Sequence, residues 1–342
     1  MTVHVTGIGT YLPAETVTGA EVAERSGIPE EVVVEKMGLR RKHVCPPDDD
    51  HPSEMCVAAA EAALADAGPD DSALPADTLD AVRYHGSELK DHVVWNAAAA
   101  VAEELGAEGA GATESYALCA GQPVATREAK ALLSADPGID RLLLVAASRE
   151  EDLVDYDDPD TSFMFNFGSG ATAFVLERDA PERAVARVRE SATLTDGSFA
   201  EDVIVPAGGT RRPPSRDTVD SGGHSLRVPD HEEMKRRLAA VSLPNFRQVA
   251  DEALARSDHD RDDLDFAAIT HMKRSFHETL CDDFGLAEDE QLYLDEFGHV
   301  QSCDQGIALD AVREDLSDGD VVLCLAAGTG YTWAATVLEW CT

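Results

Sequence analysis

Three side chains that could carry out proton transfer or nucleophilic attack lie where predicted strands end. Cys119 lies in "ESYALCAGQPVATREAKALL", residues 114 to 133, between an apolar extended stretch and a helical pattern. At such a join, unpaired backbone N–H groups and the helix dipole stabilise negative charge and favour a nucleophilic thiolate. Its small neighbours in "CAGQ" leave space at the sulfur. We interpret Cys119 as a candidate nucleophile, with a small buried hydrophobe as the alternative.

Two histidines occupy comparable positions. "ITHMKRSFHE" places His271 at the end of a predicted strand, and "FGHVQSCDQGIAL" places His299 at a turn before a predicted helix. Imidazole exchanges a proton near neutral pH, so a cysteine with two such histidines forms a plausible nucleophilic constellation. Asp304, five residues after His299, either orients a histidine or starts the helix. Both roles stay open.

The elements that must position these residues alternate along the chain. Short apolar runs predict strands, as in "VHVTGIGTYL", "LDAVRYHGS", "ATESYAL", "RLLLVAAS", "LDFAAITHM" and "DVVLCLAAG". Longer amphipathic segments predict helices, as in "PSEMCVAAAEAALADAG", "VVWNAAAAVAEELG", "QPVATREAKALLSAD", "MKRRLAAVSLPNFRQVADEALARS" and "GIALDAVREDL". This order predicts an α/β fold.

The second half of the chain repeats features of the first. "GSGATAFVLE" (168 to 177) and "GTGYTWAATVLE" (328 to 339) each run from Gly-x-Gly through small residues to Val-Leu-Glu. Together with the repeated order of strands and helices, this echo predicts a duplicated fold. The polar stretch "ERDAPERA" marks the boundary, so residues 1–180 carry the cysteine and residues 181–342 carry the histidines.

Composition limits the possible partners. The chain has 28 Lys and Arg against 66 Asp and Glu, a formal net charge of −38, which excludes nucleic acid and anionic membrane surfaces as partners. The acidic residues are dispersed among apolar ones, which indicates a solvated surface, and this even spread with few lysines suggests adaptation to high salt. A Gly-, Pro- and Ser-rich stretch at 207–229 predicts a long loop whose arginines either contact phosphate or are merely solvated.

Cysteine usage and hydropathy predict a compartment. Seven widely spaced cysteines without a Cys-x-x-Cys pair argue against a disulfide framework or a metal site, so we expect no metal and a reducing environment. Neither a leader pattern nor a long apolar run is seen, and membrane insertion is not expected. The expected localisation is cytoplasmic.

Several motifs resemble one family in order and spacing. These are "GIGTYLP", "EKMGLRRKH", "ALCAGQ", "FGSGATAFVLE", "TDGSF" and "AAGTGYTWAATVLEW". Over essentially its whole length the chain is similar to the ketoacyl synthase III group of the thiolase superfamily. The resemblance implies a duplicated five-layer αβαβα thiolase fold, a homodimer and no bound cofactor.

The same resemblance implies a reaction and its residues. Cys119 would take an acyl group from acyl-CoA, with the backbone N–H groups of Cys119 and Thr329 as the oxyanion hole. His271, with His299 where the group usually has asparagine, would then stabilise the enolate formed when malonyl-CoA or malonyl-ACP loses carbon dioxide. The product would be a 3-oxoacyl thioester. The candidate coenzyme A contacts are Lys36, Arg40, Arg211, Arg212 and Arg274.

Departures from the family pattern leave alternatives open. Arg274 stands where an asparagine of the pantetheine region is expected, and Val32 replaces a tryptophan that stacks on adenine. One alternative is an acyltransferase that uses Cys119, His271 and Asp304 without decarboxylation, and another is a catalytically silent partner subunit. Ala327 lies beside the turn where thiolases have a second cysteine, which argues against thiolysis.

Overall fold

A mixed nine-stranded sheet runs through this computed structural model, which describes residues 1–69 and 72–341. Its strand order is β5-β4-β6-β7-β1-β8-β11-β10-β9, and β2 and β3 pair separately. The strands are β1 (Val3–Tyr11), β2 (Thr16–Thr18), β3 (Arg41–His43), β4 (Ala81–Tyr84), β5 (Gly111–Glu114), β6 (Arg141–Ser148), β7 (Gly170–Arg178), β8 (Ala186–Thr195), β9 (Phe266–Ile269), β10 (Val321–Gly328) and β11 (Thr332–Trp340).

The sheet consists of two halves with the same plan. In the first half β4 and β6 are parallel, whereas β6–β7 and β7–β1 are antiparallel. In the second half β9 and β10 are parallel, whereas β10–β11 and β11–β8 are antiparallel. The two echoed sequences therefore form β7 and β11, which occupy equivalent places. The halves join where β1 pairs with β8, and the polar stretch at 177–184 lies mainly between β7 and β8.

Eight helices lie among the described residues. They are α1 (Gly19–Ser26), α2 (Pro52–Asp66), α3 (Ala97–Leu105), α4 (Gly121–Ala135), α5 (Arg216–Asp220), α6 (His231–Arg256), α7 (Arg274–Phe284) and α8 (Asp304–Val312). The predicted helix "VVWNAAAAVAEELG" begins later than its apolar pattern, because Asn96 caps α3 by accepting a hydrogen bond from the Ala99 N–H. None of these helices has the length and hydropathy needed to cross a membrane.

Three apolar clusters define the layers of this duplicated fold. α4 and α8 pack in a shared cluster with residues of both sheet halves, including Leu142 and Val322, and so form the central layer. α2 and α3 cover the outer face of the first half, and α6 and α7 cover that of the second. Each fully buried aliphatic side chain contributes roughly 1.5–3 kcal/mol, so this shared cluster holds α4 and α8 between the two halves of the sheet.

The long loop predicted at 207–229 is only partly irregular. It contains the short helix α5, and Ile204 pairs with Arg227 across its base. Ser215 caps α5 by accepting a hydrogen bond from the Thr218 N–H. Local capping thus orders a stretch that Gly and Pro content alone predicted to be loop.

Candidate active site

The candidate nucleophile lies on a tight turn directly before α4. Cys119 is the middle residue of a 3-10 turn, Leu118–Ala120, and is buried. Leu118 has φ 48, a left-handed conformation that is costly for a leucine. A Cβ on Gly328 would lie 2.3 Å from the Ala117 carbonyl oxygen and 3.1 Å from the Cys119 nitrogen. Glycine is therefore required where the end of β10 supports this turn.

The sulfur begins a chain of three side chains. Cys119 Sγ lies 3.2 Å from His299 Nε2, and His299 Nδ1 lies 2.6 Å from Asp304 Oδ2. All three residues are buried. Since a carboxylate oxygen only accepts, the proton on Nδ1 is held towards Asp304 and Nε2 is directed at the sulfur. This is the order of nucleophile, base and orienting acid found in catalytic triads.

Asp304 also organises the backbone around both histidines. Its carboxylate accepts hydrogen bonds from the backbone N–H groups of His271 (2.7 Å) and Val300 (2.7 Å), and from the Thr270 hydroxyl (2.9 Å). Burial opposes the charge, but these donors and the His299 imidazole hold the pKa of Asp304 below its ordinary value. The ring that Asp304 orients is His299; its contact with His271 is through the backbone.

The two histidines have opposite protonation preferences. Burial disfavours the charged form of His299, yet the Asp304 carboxylate, with Cys119 beside it, raises its pKa well above the ordinary value. Burial lowers the pKa of His271 to about 3, partly offset by Asp304. Neither ring nitrogen of His271 has a hydrogen-bond partner within the described ranges. His299 is thus poised to carry a proton, whereas His271 is a neutral imidazole available to substrate.

Backbone N–H groups that could hold an oxyanion lie beside the sulfur. Neither the Cys119 nor the Thr329 amide donates a hydrogen bond to any residue that the structure describes. Gly328, directly before Thr329, contacts the nucleophile turn and brings the two segments together. Two free donors beside a nucleophile provide the arrangement required to stabilise a tetrahedral oxyanion.

A cavity of about 460 Å³ leads to these groups. It reaches Cys119, His271, His299 and Thr329, and its other lining side chains are mostly apolar or aromatic. They include Met37, Phe163, Phe167, Phe246, Phe276 and Trp333. A largely apolar cavity of this size suits a flexible thioester arm.

Cations are distributed unevenly around this cavity. Lys36 and Lys273 line it, and neither forms an ion pair with an acid in residues 1–69 and 72–341. Arg40 and Arg274 share Asp295, with N–O distances of 3.1 and 2.9 Å, and neither lines the cavity. Lys36 and Lys273 are therefore the cations best placed to meet an anionic substrate.

The arginines of the predicted loop lie elsewhere. Arg211 is exposed and pairs with Glu201 at 2.7 Å, and Arg212 donates to the Ser221 hydroxyl at 2.8 Å. Neither lines the cavity. Their suggested contact with coenzyme A receives no geometric support, because local partners already engage both guanidinium groups.

The segment that carries His299 is anchored in the first half of the chain. The His299 N–H donates to the Asn166 carbonyl, and its own carbonyl accepts from the Gly168 N–H. Fully buried Lys42 donates to the Phe165 and Phe167 carbonyls at 3.0 and 2.6 Å, and burial lowers its pKa to about 8. Each half thus supports a reactive group of the other.

Sequence analysis missed one residue at the sulfur, Gln301. Its Oε1 lies 2.6 Å from Cys119 Sγ, and its backbone has φ 56. A signal did exist: "LCAGQ" at 118–122 and "QSCDQ" at 301–305 each run from a 3-10 turn into a central helix, and both end in glutamine. Aligning the halves at these turns would have singled out Gln301. No metal-binding cluster of His, Cys, Asp or Glu occurs in the part of the chain that the structure describes.

Fold and site together define a class, the thiolase-fold enzymes. Family models describe residues 114–197 as "3-Oxoacyl-[acyl-carrier-protein (ACP)] synthase III" and 254–340 as its C-terminal part, together half of the chain. The beta-ketoacyl-[acyl-carrier-protein] synthase III of Chlamydia pneumoniae is 26% identical over 334 residues, covering 97% of this chain and 95% of that protein.

Solved structures give the same result. The 3-oxoacyl-(acyl carrier protein) synthase III of Pseudomonas aeruginosa PAO1 superimposes with a TM-score of 0.83 at 23% identity, covering 100% of this chain and 99% of that one. The priming beta-ketosynthase of the R1128 polyketide pathway has a TM-score of 0.82 at 26% identity, covering 99% and 96%. The chain belongs to the 3-oxoacyl-[acyl-carrier-protein] synthase III family of condensing enzymes.

Proposed function

We propose that the protein joins an acyl group from acyl-CoA to a malonyl thioester by decarboxylative condensation, through an acyl-Cys119 intermediate. The observation that carries this assignment is the chain from Cys119 Sγ through His299 to Asp304 beside a neutral His271. The chain supplies the nucleophile and its proton acceptor. His271 supplies a second group that can contact a substrate oxygen without carrying charge itself.

The first half-reaction uses His299 as a proton carrier. The Cys119 thiol proton passes to His299 Nε2, and the thiolate attacks the thioester carbon. The Cys119 and Thr329 amides hold the oxyanion. When the bond from carbon to the coenzyme A sulfur breaks, that sulfur takes the proton from His299 Nε2 and leaves as a thiol. His299 is then neutral, with its remaining proton on Nδ1 facing Asp304.

The second half-reaction requires His299 to regain a proton. Only the imidazolium can donate from Nε2, because Nδ1 already donates to Asp304. The raised pKa of His299 favours uptake of this proton from water. Carbon dioxide then leaves the malonyl group, and His271 and His299 stabilise the enolate oxygen. The enolate carbon attacks the acyl carbonyl and expels Cys119 as thiolate, so the cycle consumes one proton.

We propose that the substrate enters the cavity past Lys36 and Lys273. Lys36 and Lys273 are suited to the phosphates of coenzyme A or of a phosphopantetheine arm, whose thioester would reach Cys119 along the apolar cavity. Coenzyme A thioesters enter as substrates, and the proposed steps need no resident cofactor. The seven free thiols fit a reducing cytoplasm, where we place the enzyme.

We propose a homodimer built on the first half of the sheet. Among the residues that the structure describes, β5 is an edge strand that pairs only with β4, so its outer hydrogen-bonding groups are available to a second copy. Val93 and Val94, in the loop between β4 and α3, are 91% and 101% exposed. Two adjacent apolar side chains with such exposure fit an interface better than solvent.

Intact mass spectrometry tests the condensing activity. Wild-type and Cys119→Ala proteins are incubated in high salt with a panel of acyl-CoA thioesters, and malonyl-CoA or malonyl-ACP is then added. The expected result is an adduct that requires Cys119 and is discharged with release of carbon dioxide and a 3-oxoacyl thioester.

Two outcomes would overturn this assignment. An adduct that a hydroxyl or amine acceptor discharges, but a malonyl thioester does not, would identify acyl transfer without decarboxylation. No adduct with any donor would indicate a silent subunit. The molecular mass from light scattering of the same preparations tests the proposed dimer. A monomer mass at micromolar concentration would contradict it.

A further inference from the structure

Gln301 contacts the sulfur through its side-chain amide, and the proposed mechanism gives it no role. It lies in a 3-10 turn, Gln301–Cys303, immediately before α8, as Leu118–Ala120 lies before α4. Both turns have a non-glycine residue with positive φ at their first position, 56 for Gln301 and 48 for Leu118. The two turns pack together, which directs the Gln301 side chain across to the other turn.

The contact between Gln301 and the sulfur suits only one protonation state. In the thiol form, Cys119 Sγ–H donates to Gln301 Oε1 at 2.6 Å. A thiolate has no proton to donate, so a carbonyl oxygen at that distance would repel it. The amide nitrogen, Nε2, is buried and has no partner among residues 1–69 and 72–341. A half-turn about the last side-chain torsion would present Nε2–H to the sulfur.

We propose that Gln301 is a catalytic residue that stabilises the Cys119 thiolate by donating a hydrogen bond from Nε2, and that its amide turns over when the sulfur gains or loses its charge. This role rests on the proposed function only in naming Cys119 as the nucleophile. The thiolate then has two side-chain donors, His299 Nε2 and Gln301 Nε2. Acylation neutralises the sulfur and releases the Gln301 amide.

The surroundings of the sulfur support this role. The titratable groups around it are His299, Asp304 behind His299, His271 and Tyr331. His271 is neutral, so it adds no positive charge to stabilise a thiolate. A buried, uncharged donor with no other partner is therefore a useful second stabiliser, because an unpaired buried amide is itself unfavourable.

Alkylation tests this role without requiring acyl transfer. The rate of Cys119 modification by iodoacetamide is measured from pH 4 to 10 for wild type, Gln301→Leu, Gln301→Met and Gln301→Glu, with mass spectrometry locating the label. The midpoint of the curve of alkylation rate against pH should rise by about one pH unit in Gln301→Leu and Gln301→Met, because each loses a hydrogen bond to a charged group. At lower pH this equals a tenfold loss of reactive thiolate. A carboxylate in Gln301→Glu should raise the midpoint further.

Gln305→Leu is the matched control. Gln305 is also buried at the start of α8, but its amide donates to the Leu325 carbonyl and not to the sulfur. Its midpoint should equal that of wild type. An unchanged midpoint in the Gln301 variants that fold, or an equal shift in Gln305→Leu, would overturn the proposal. Because alkylation needs no acyl donor, this result is independent of whether malonyl thioesters discharge the enzyme.

Discussion

The active site has a structural counterpart elsewhere in the same molecule, and the two differ in a few residues. Cys119 occupies the middle of the turn before α4, and Ser302 occupies the middle of the turn before α8. His271 follows β9, and His85 follows the equivalent strand β4. The duplicated fold thus has two equivalent pairs. Cys119 is paired with His271, and Ser302 is paired with His85. Only the pair with Cys119 meets the cavity.

The residue that begins each central helix makes much of the difference. α8 begins with Asp304, whose carboxylate orients His299, whereas α4 begins with Gly121. A Cβ on Gly121 would lie 2.7 Å from the His85 carbonyl and 2.8 Å from Ser302 Cβ. Gly121 lets the start of α4 pack closely against His85 and Ser302. Asp304, in the equivalent position, orients the histidine beside Cys119. The duplicated fold provides both positions, and under the proposed function the side chains at each position determine which of them reacts.

The largest expected effect is a difference in activity between substitutions of Cys119 and of Ser302, the middle residues of the two turns. Cys119→Ala should abolish the acyl adduct and all condensation, because it removes the nucleophile. Ser302→Ala should keep turnover within a few-fold of wild type, because the Ser302 hydroxyl is buried without a partner in the described ranges and does not line the cavity. Intact mass and carbon dioxide release provide both readings. A loss in Ser302→Ala comparable to that in Cys119→Ala would contradict the assignment of one reactive turn.

Asp304→Asn tests the group that the counterpart lacks. Removing the negative charge lowers the pKa of His299, so the imidazolium present below that pKa should be lost at lower pH than in wild type. We expect condensation at pH 8 to fall by about 10² to 10⁴-fold, the usual range for general acid–base catalysis, with partial recovery as the pH is lowered. Carbon dioxide release against pH measures both.

Asp310→Asn controls for the same change on the same helix. Asp310 accepts from the Thr10 hydroxyl and lies away from His299. Its pH profile should match that of wild type. An Asp304→Asn profile parallel to wild type, reduced in height but unshifted in pH, would show that Asp304 acts only in folding.

Gly328→Ala tests how the second half supports the nucleophile of the first. The new Cβ would meet the Ala117 carbonyl and the Cys119 amide, which displaces an oxyanion donor. Acylation by acyl-CoA should fall by about 10²-fold, the typical effect of losing one such donor, whereas alkylation by iodoacetamide should fall much less because it forms no oxyanion. Gly197→Ala, where a Cβ meets nothing within 4 Å, is the control. Equal losses in both reactions would indicate general distortion.

Sequence patterns predicted the duplicated α/β fold and the segments that form the site. Strand and helix periodicity placed Cys119, His271 and His299 at the ends of predicted elements, and the structure gathers all three around one cavity. Periodicity could not predict which histidine ring Asp304 contacts. The alternative that combined it with Cys119 and His271 is not the observed arrangement, because which ring reaches a carboxylate depends on the path of the chain through His299 and Gln301.

The side-chain partners of the cations account for the remaining differences. Arg211 and Arg212 were candidate contacts because of their charge, and Arg40 and Arg274 because of their places in the family motifs. In the structure, local partners engage Arg211 and Arg212, and Asp295 engages Arg40 and Arg274. Lys36 was among the expected contacts, and it does line the cavity, whereas Lys273 was not considered. In a chain with 66 acidic residues, the informative cations are those without an acidic partner, and that property appears only after folding.

The smallest expected effect compares the two buried histidines. Burial lowers the pKa of both His85 and His271 to about 3, and neither ring has a hydrogen-bond partner among the described residues. The unfolded chain takes up a proton on each histidine below about pH 6.5, while the folded chain does not until about pH 3. Each therefore makes folding less stable as the pH falls through this window, by about 2 kcal/mol between pH 7 and pH 5.

His85→Leu and His271→Leu should each remove one such contribution. Urea unfolding at pH 7 and pH 5 should show a smaller loss of stability in both variants than in wild type, by about 2 kcal/mol. Carbon dioxide release should then separate them, because His85→Leu retains condensation and His271→Leu loses it. Equal activity in the two variants would mean that the second histidine of the cavity has no contact with the reacting atoms. The comparison thus isolates function from burial, since the two imidazoles share the same electrostatic penalty and differ in access to the substrate.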